Sequence, residues 1–207
     1  MSETRSLMQA PELRFAGDGS AGQTVAGYAA VFNSAADIGG MWREVISPGA
    51  FRQSIARDDV LALNSHETDR LLGRTSSGTL RLREDEKGLA VEIDLPDTSD
   101  GRDVGALVRR GDLKGMSIGF IVRKETWDET VNPPLRTIEM ADLIEVSAVA
   151  RPAYGDTTLG LRSLDRARAE KDRDQAERNR AAAEARIAER KARMEQSFRG
   201  IRPDTSR

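Results

Sequence analysis

Between Ile138 and Ala150 the chain is largely apolar, and the run stops abruptly at Arg151-Pro152. It falls well short of the roughly 20 apolar residues that a membrane span requires. From Asp142 to Val149 it alternates in part, with Ile144, Val146 and Ala148 on one side and Leu143, Glu145, Ser147 and Val149 on the other. That period, rich in β-branched residues, is the mark of a strand. A strand of this kind must be paired and covered by others, which makes β structure the framework of the core.

Further strand-length runs supply the partners. Glu12-Leu13-Arg14-Phe15, Thr24 to Phe32, Trp42 to Ile46, Val60 to Leu63, Ile118 to Arg123 and Leu135 to Met140 all read as extended. Gly27 marks a bulge or close approach within the second of these. Thr79 to Arg83 and Leu89 to Leu95 alternate around a polar turn at Glu84 to Gly88, as a hairpin does. Glu67 to Arg70 reads as a surface segment, and Glu125 to Pro134 as a solvent loop. Two helices interrupt the strands. One starts at Ser47-Pro48-Gly49-Ala50-Phe51 and closes at Asp58-Asp59. The other is capped by Thr98 or Ser99, buries Val104, Leu107 and Val108, and ends at Gly111. The expected architecture is mainly β with flanking helices, and a closed antiparallel β-barrel satisfies it by removing free edges.

Both ends differ from this core. Residues 1–11 are expected to be disordered. From Arg162 to Glu195 the chain is dominated by Arg, Glu, Asp, Lys and Ala, with neither proline nor glycine. Ala176, Ala183, Ile187 and Met194 form only a thin stripe, and pairs such as Arg173/Glu177, Arg180/Glu184 and Glu189/Arg193 contribute ~0.2–0.5 kcal/mol each. This is the pattern of a charged helical tail, residues 162–207, disordered at its end and unable to make a second core.

Composition narrows the chemistry. Without cysteine there are no disulfides, thiol nucleophiles or thiolate metal sites, and a single histidine leaves no His-rich metal centre. No cofactor is expected. A formal net charge of −2, with arginines interspersed among acids, argues against nucleic-acid binding. Met1 to Ser6 leads into no apolar segment, so neither a secretory signal nor a membrane anchor is expected.

Three residues could form a nucleophilic site. His66, the lone histidine, follows the strand Val60 to Leu63; it is either a polar strand end or a general base suited to neutral pH. Ser117 sits in Gly115-Met116-Ser117-Ile118-Gly119, either as a turn serine or as an attacking hydroxyl with open access. The α/β-hydrolase elbow of the same form needs a strand before it, a helix after it and a later histidine, and none of these is present here. Glu145 either faces solvent or sits against the imidazole and fixes its tautomer. Asp142 and Ser147 compete with it locally, and Arg151 is either a surface charge or an oxyanion donor.

The ordered segments Gly27 to Phe32, Glu44 to Phe51, Leu63 to His66, Leu95 to Thr98, Gly111 to Phe120 and Asp142 to Tyr154 resemble the prohead (capsid maturation) proteases of tailed bacteriophages, of the HK97 type. The resemblance runs from about Leu13 to Leu161. It implies a prohead protease domain over residues 12–161 with the β-barrel of herpesvirus assembly proteases. It also implies a serine endopeptidase in which His66, Ser117 and Glu145 are catalytic and Arg151 serves the oxyanion. The implied substrates and partners are scaffolding protein, or the scaffold segment of the major capsid protein, and the chain itself. The implied place of action is the immature prohead in the host bacterial cytoplasm. Analogy with the herpesvirus enzymes points to a homodimer. The competing expectation is a non-enzymatic capsid assembly protein that uses the same fold for packing.

Overall fold

The computed structural model describes residues 3–6, 13–16, 23–150 and 157–199. In chain order the elements are β1 (Glu3–Ser6), β2 (Arg14–Phe15), β3 (Gln23–Val31), β4 (Ala36–Ile38), β5 (Trp42–Ile46), α1 (Arg52–Arg57), β6 (Leu61–Asn64) and β7 (Glu67–Arg74). They continue with β8 (Leu80–Glu84), β9 (Gly88–Leu95), α2 (Ser99–Arg110), β10 (Gly115–Asp128), β11 (Leu135–Val149) and α3 (Thr157–Arg199).

The strands divide into two open sheets, not the closed antiparallel barrel expected from the sequence. One is seven-stranded, running β1-β10-β11-β5-β4 with β6 and β7 branching from β11; the other is four-stranded, β2-β3-β9-β8. Among the described residues no ladder joins one sheet to the other. The larger sheet is also mixed, because β11 takes both β5 and β6 as parallel neighbours. Alternation records which side chains face the core. It carries no information on the direction of a neighbouring strand, which is why an all-antiparallel closure was compatible with the sequence.

Both sheets contribute to one apolar core. Val25, Leu89, Val91 and Ile93 of the smaller sheet join Met116, Ile118, Phe120, Ile138, Leu143 and Val146 of the larger. Phe51 meets Phe120 edge to face, with ring centroids 6.2 Å apart. At the start of β9, a Cβ on Gly88 would lie 2.0 Å from the Ala30 carbonyl oxygen, so the approach of β3 depends on a residue without a side chain.

Several local expectations change. Residues 3–6, expected to be disordered, pair with β10. The surface segment Glu67 to Arg70 is the first half of β7, and β10 extends to Asp128 into the expected loop. The first helix starts later than the Ser47-Pro48 cap implied, because Gly49 has φ 88° and cannot enter a right-handed helix. Residues 47–51 form turns instead, with Ala50 N–H donating to Ser47 O at 3.1 Å. The second helix is capped by Thr98, whose hydroxyl accepts from Gly101 N–H, and ends at Gly111. Val104 and Val108 are buried on it, but Leu107 is exposed.

The chain separates into two compact units, Met1–Leu161 and Arg162–Arg207. Of the second, α3 is the described element, and every side chain described along it is exposed. Arg180 Nε donates to Glu184 across one turn at 3.3 Å, one of the pairs the charge pattern implied.

Ion pairs tie α1 to the larger sheet. Arg57 Nη2 donates to Asp142 Oδ1 at 3.0 Å, and Arg123 Nε donates to Asp142 Oδ2 at 2.6 Å. The hydrogen bonds from Arg123 and then Arg57 hold the Asp142 carboxyl below its ordinary range. Two outcomes follow. Gly88→Ala forces a backbone clash and lowers stability by about 1–3 kcal/mol, read from the urea midpoint at unchanged slope. Asp142→Asn also lowers the midpoint near neutral pH. Because the folded pKa lies below the unfolded value of about 3.9, that contribution is present above about pH 4 and is lost as pH falls through the folded value. Midpoints of Asp142→Asn and the parent therefore converge in acid.

Candidate active site

The turn between β6 and β7 consists of two residues, Ser65 and His66, with Asn64 paired to Glu67. Their φ values are 58° and 63°. Positive φ at both central residues is the backbone of a type I′ hairpin turn, normally filled by asparagine and glycine. Holding two ordinary side chains there costs of order 1–3 kcal/mol each. Neighbouring contacts hold the turn: Ser65 N–H donates to Ala148 O at 3.0 Å, and His66 N–H donates to Ser147 Oγ at 3.3 Å. The parallel ladder of β6 with β11 places the turn there, through the pairs Leu63–Ser147 and Asn64–Ala148.

Glu145 and Ser147 reach the same spot from β11 because of a bulge. In the β10/β11 ladder Gly119 pairs with Glu145 while Phe120 pairs with Leu143, leaving Ile144 as the extra residue. The bulge resets the alternation. Leu143 and Val146 both face the core, Glu145 and Ser147 share the opposite face, and Ile144 is turned out, 41 % exposed. The sequence had grouped Ile144 with Val146; the inserted residue accounts for the difference.

Glu145 Oε1 lies 2.7 Å from His66 Nδ1, and the Ser147 hydroxyl donates to Glu145 Oε2. A carboxylate at Nδ1 favours the tautomer with its proton on that nitrogen, leaving Nε2 as the basic atom. Nε2 is buried and has no hydrogen-bond partner among the described residues, although the imidazole as a whole keeps 25 % exposure. Gly119 lies beneath the carboxylate: a Cβ there would be 2.6 Å from Glu145 Oε1.

Ser117 pairs directly with Ser147 across the ladder. Directly paired residues present their side chains on one face with Cβ atoms about 4.5–5.5 Å apart. Ser117 therefore shares a face with Glu145 and Ser147, and Ser147 touches both Glu145 and His66. The side chain of Ser117 is fully buried, and on its other edge β10 pairs with β1, Ser117 opposite Ser6.

Of the local competitors, Asp142 is engaged by Arg57 and Arg123 and makes no described contact with His66. Ser147 bridges the backbone of His66 and the carboxylate of Glu145. Arg151 lies outside the described residues. Among the described residues no group of three or more His, Cys, Asp or Glu side chains could hold a metal ion. A second polar cluster escaped the sequence reading. Arg136, 1 % exposed, is bonded to Glu3, Glu44 and Glu125, and its only forewarning is a charge on the side of β11 that also carries Ile138. Burial opposes its protonation, but those carboxylates outweigh it and raise the guanidinium above its ordinary range.

The family model described as "Caudovirus prohead serine protease" matches residues 11–171, a span that contains His66, Ser117 and Glu145. The prohead protease of Enterobacteria phage HK97 is 35 % identical over 167 residues, covering 78 % of this chain and 69 % of that one. The prohead protease of Escherichia phage T5 is 30 % identical over 122 residues, 57 % of this chain and 55 % of that one. No solved structure matches the chain. With most of its length matched by the family model, and more than two thirds of the HK97 protein covered, the chain belongs to the prohead serine protease family of tailed phages, serine peptidases of capsid maturation.

Proposed function

We propose that Ser117 is the nucleophile of this serine peptidase, His66 its general base and Glu145 the carboxylate that orients His66. The observation that carries the reading is the 2.7 Å contact of Glu145 Oε1 with His66 Nδ1, which leaves Nε2 buried and unpartnered among the described residues. In the reaction Nε2 takes the Ser117 hydroxyl proton as Oγ attacks a peptide carbonyl carbon. Glu145 stabilises the imidazolium, which then donates that proton to the departing amine, leaving an acyl-enzyme for water to resolve. The oxyanion is received by backbone N–H groups near Ser117 and by Arg151, each donor supplying about 3–4 kcal/mol in the transition state.

The substrates we propose are the scaffolding protein, or the scaffold segment of the major capsid protein, and the chain itself, cleaved inside the immature shell. Support comes from the family membership and from the similarity to the prohead proteases of phages HK97 and T5. We further propose that the charged helix α3 docks to scaffold or capsid or is removed by processing, and that the enzyme works as a homodimer.

Co-expression with the neighbouring major capsid protein, followed by intact mass, tests the assignment. Ser117→Ala abolishes capsid and self-cleavage while circular dichroism stays unchanged. Cleavage that persists in that variant removes Ser117 from the mechanism, and a verified substrate cleaved by neither form favours the assembly-protein alternative. Glu145→Gln keeps the shape of the site but loses the charge, and lowers kcat by on the order of 10³–10⁴-fold. Gly119→Ala pushes the Glu145 carboxylate aside. A displacement near 1 Å lowers kcat by about 100-fold, with a smaller change in stability than Gly88→Ala.

A further inference from the structure

The strand β1 lies along β10 beside the proposed nucleophile. The ladder is antiparallel, with Ser6 opposite Ser117, Arg5 opposite Ile118, Thr4 opposite Gly119 and Glu3 opposite Phe120. An extended segment that adds to a sheet edge is how many peptides are recognised, with backbone hydrogen bonds supplying affinity and side-chain pockets supplying selectivity. Among the described strands β1 pairs with β10 alone, and it is only four residues long. The backbone pairing of a strand so short and singly attached contributes little to holding it in place.

Its first residue is held differently. Arg136 Nη1 donates to Glu3 Oε2 at 2.7 Å and Nη2 donates to Glu3 Oε1 at 2.9 Å, the two-pronged geometry of a guanidinium on a carboxylate. Arg136 also binds Glu44 through Nη1 at 2.9 Å and Glu125 through Nε at 2.7 Å. Trp127 lies under the guanidinium, with Arg136 Cζ 5.8 Å from the ring centroid. Glu44 and Glu125 arrive on β5 and β10 and orient the fork, whereas Glu3 arrives on the four-residue β1. When Glu3 leaves, Arg136 keeps its bonds to Glu44 and Glu125.

We propose that the β10 edge from Gly115 to Phe120 is the substrate-binding edge, that β1 occupies it as an intramolecular substitute, and that Arg136 is a specificity-determining residue. The peptide that replaces β1 is extended and antiparallel to β10. It carries Asp or Glu three positions before the residue set against Ser117, the spacing of Glu3 from Ser6. This rests on the proposed role of Ser117 and adds to it a binding edge, a selected side chain and a resting state in which the chain covers its own site.

The test uses the full chain carrying Ser117→Ala, so that binding is read without turnover. Glu3→Ala and Thr4→Pro are added to withdraw the carboxylate and one backbone donor of β1. The probes are a fluorescent peptide of residues 2–8 and the same peptide with glutamine in place of Glu3. The expected result is saturable binding of the first, and about tenfold or weaker binding of the second, as loss of a charge-assisted fork implies. In the chain with intact β1, the first peptide binds at least about tenfold more weakly, because the edge is occupied. Equal affinity for the two peptides would overturn the role of Arg136. Absence of binding in a chain whose circular dichroism is unchanged would overturn the edge itself. Since no arm requires catalysis, a failed Ser117 mechanism shows in the co-expression assay and leaves these outcomes readable.

Discussion

Backbone pairing between β10 and β11 runs from Gly115–Val149 at one end to Asp128–Leu135 at the other, and most of the chain is positioned against it. On its free edge β11 takes β5 near Leu135 and β6 near Glu145, both parallel. On its own free edge β10 takes β1. The ladder therefore decides where four other segments arrive: the histidine turn, the helix α1 between β5 and β6, the N-terminal strand and the Arg136 cluster. Most of that energy is apolar, since Ile118, Phe120, Ile138, Leu143, Val146 and Ala148 all point from it into the shared core. At about 25 cal/mol per Å² of apolar area buried, this face outweighs the local costs on the other.

Those costs are concentrated on the opposite face. Two consecutive ordinary residues with positive φ, a carboxylate largely removed from water and a basic nitrogen without a partner among the described residues all lie within a few residues of one another. Each feature opposes folding, and local strain and buried ionisable groups concentrated in this way are what marks the face as the candidate site. The Ile144 bulge makes the combination possible. Without it, regular alternation would place either Leu143 or Val146 on the site face, and the core would lose a residue it now buries.

Element positions were legible where local chemistry dominates. Trp42 to Ile46 was read as extended and is β5; Thr98 and Gly111 mark the ends of α2; the hairpin around Glu84 to Gly88 follows from alternation and turn residues. The arrangement of strands was less legible, because direction and closure depend on partners distant in sequence. Parallel seating of β5 and β6 on one edge of β11 is invisible in any of the three segments alone. The same limit applies to the site. Alternation left Glu145, Asp142 and Ser147 as alternatives, while their actual surroundings depend on one bulge and on arginines from α1 and β10. Arg136 and Glu3 are separated by almost the whole core domain, so their contact could not be anticipated from either neighbourhood.

The face that carries Ser117, Glu145 and Ser147 and the Arg136 cluster occupy different stretches of the same ladder, and β1 spans the distance between them. Three residues of extended chain cover roughly 10 Å, the reach from Ser6 opposite Ser117 to Glu3 in the grip of Arg136. A charged group buried this deeply needs its geometry satisfied by hydrogen bonds; otherwise desolvation makes it a liability. Arg136 meets that condition with carboxylates from β1, β5 and β10, so three segments are brought into register by a single side chain. β10 is locked by its long ladder with β11, β5 by neighbours on both edges and by the buried side chains of Trp42 and Ile46, and β1 by four residues of pairing on one edge. The bond that is weakest in its surroundings is therefore the one to Glu3, and the segment that it holds is the one lying against Ser117.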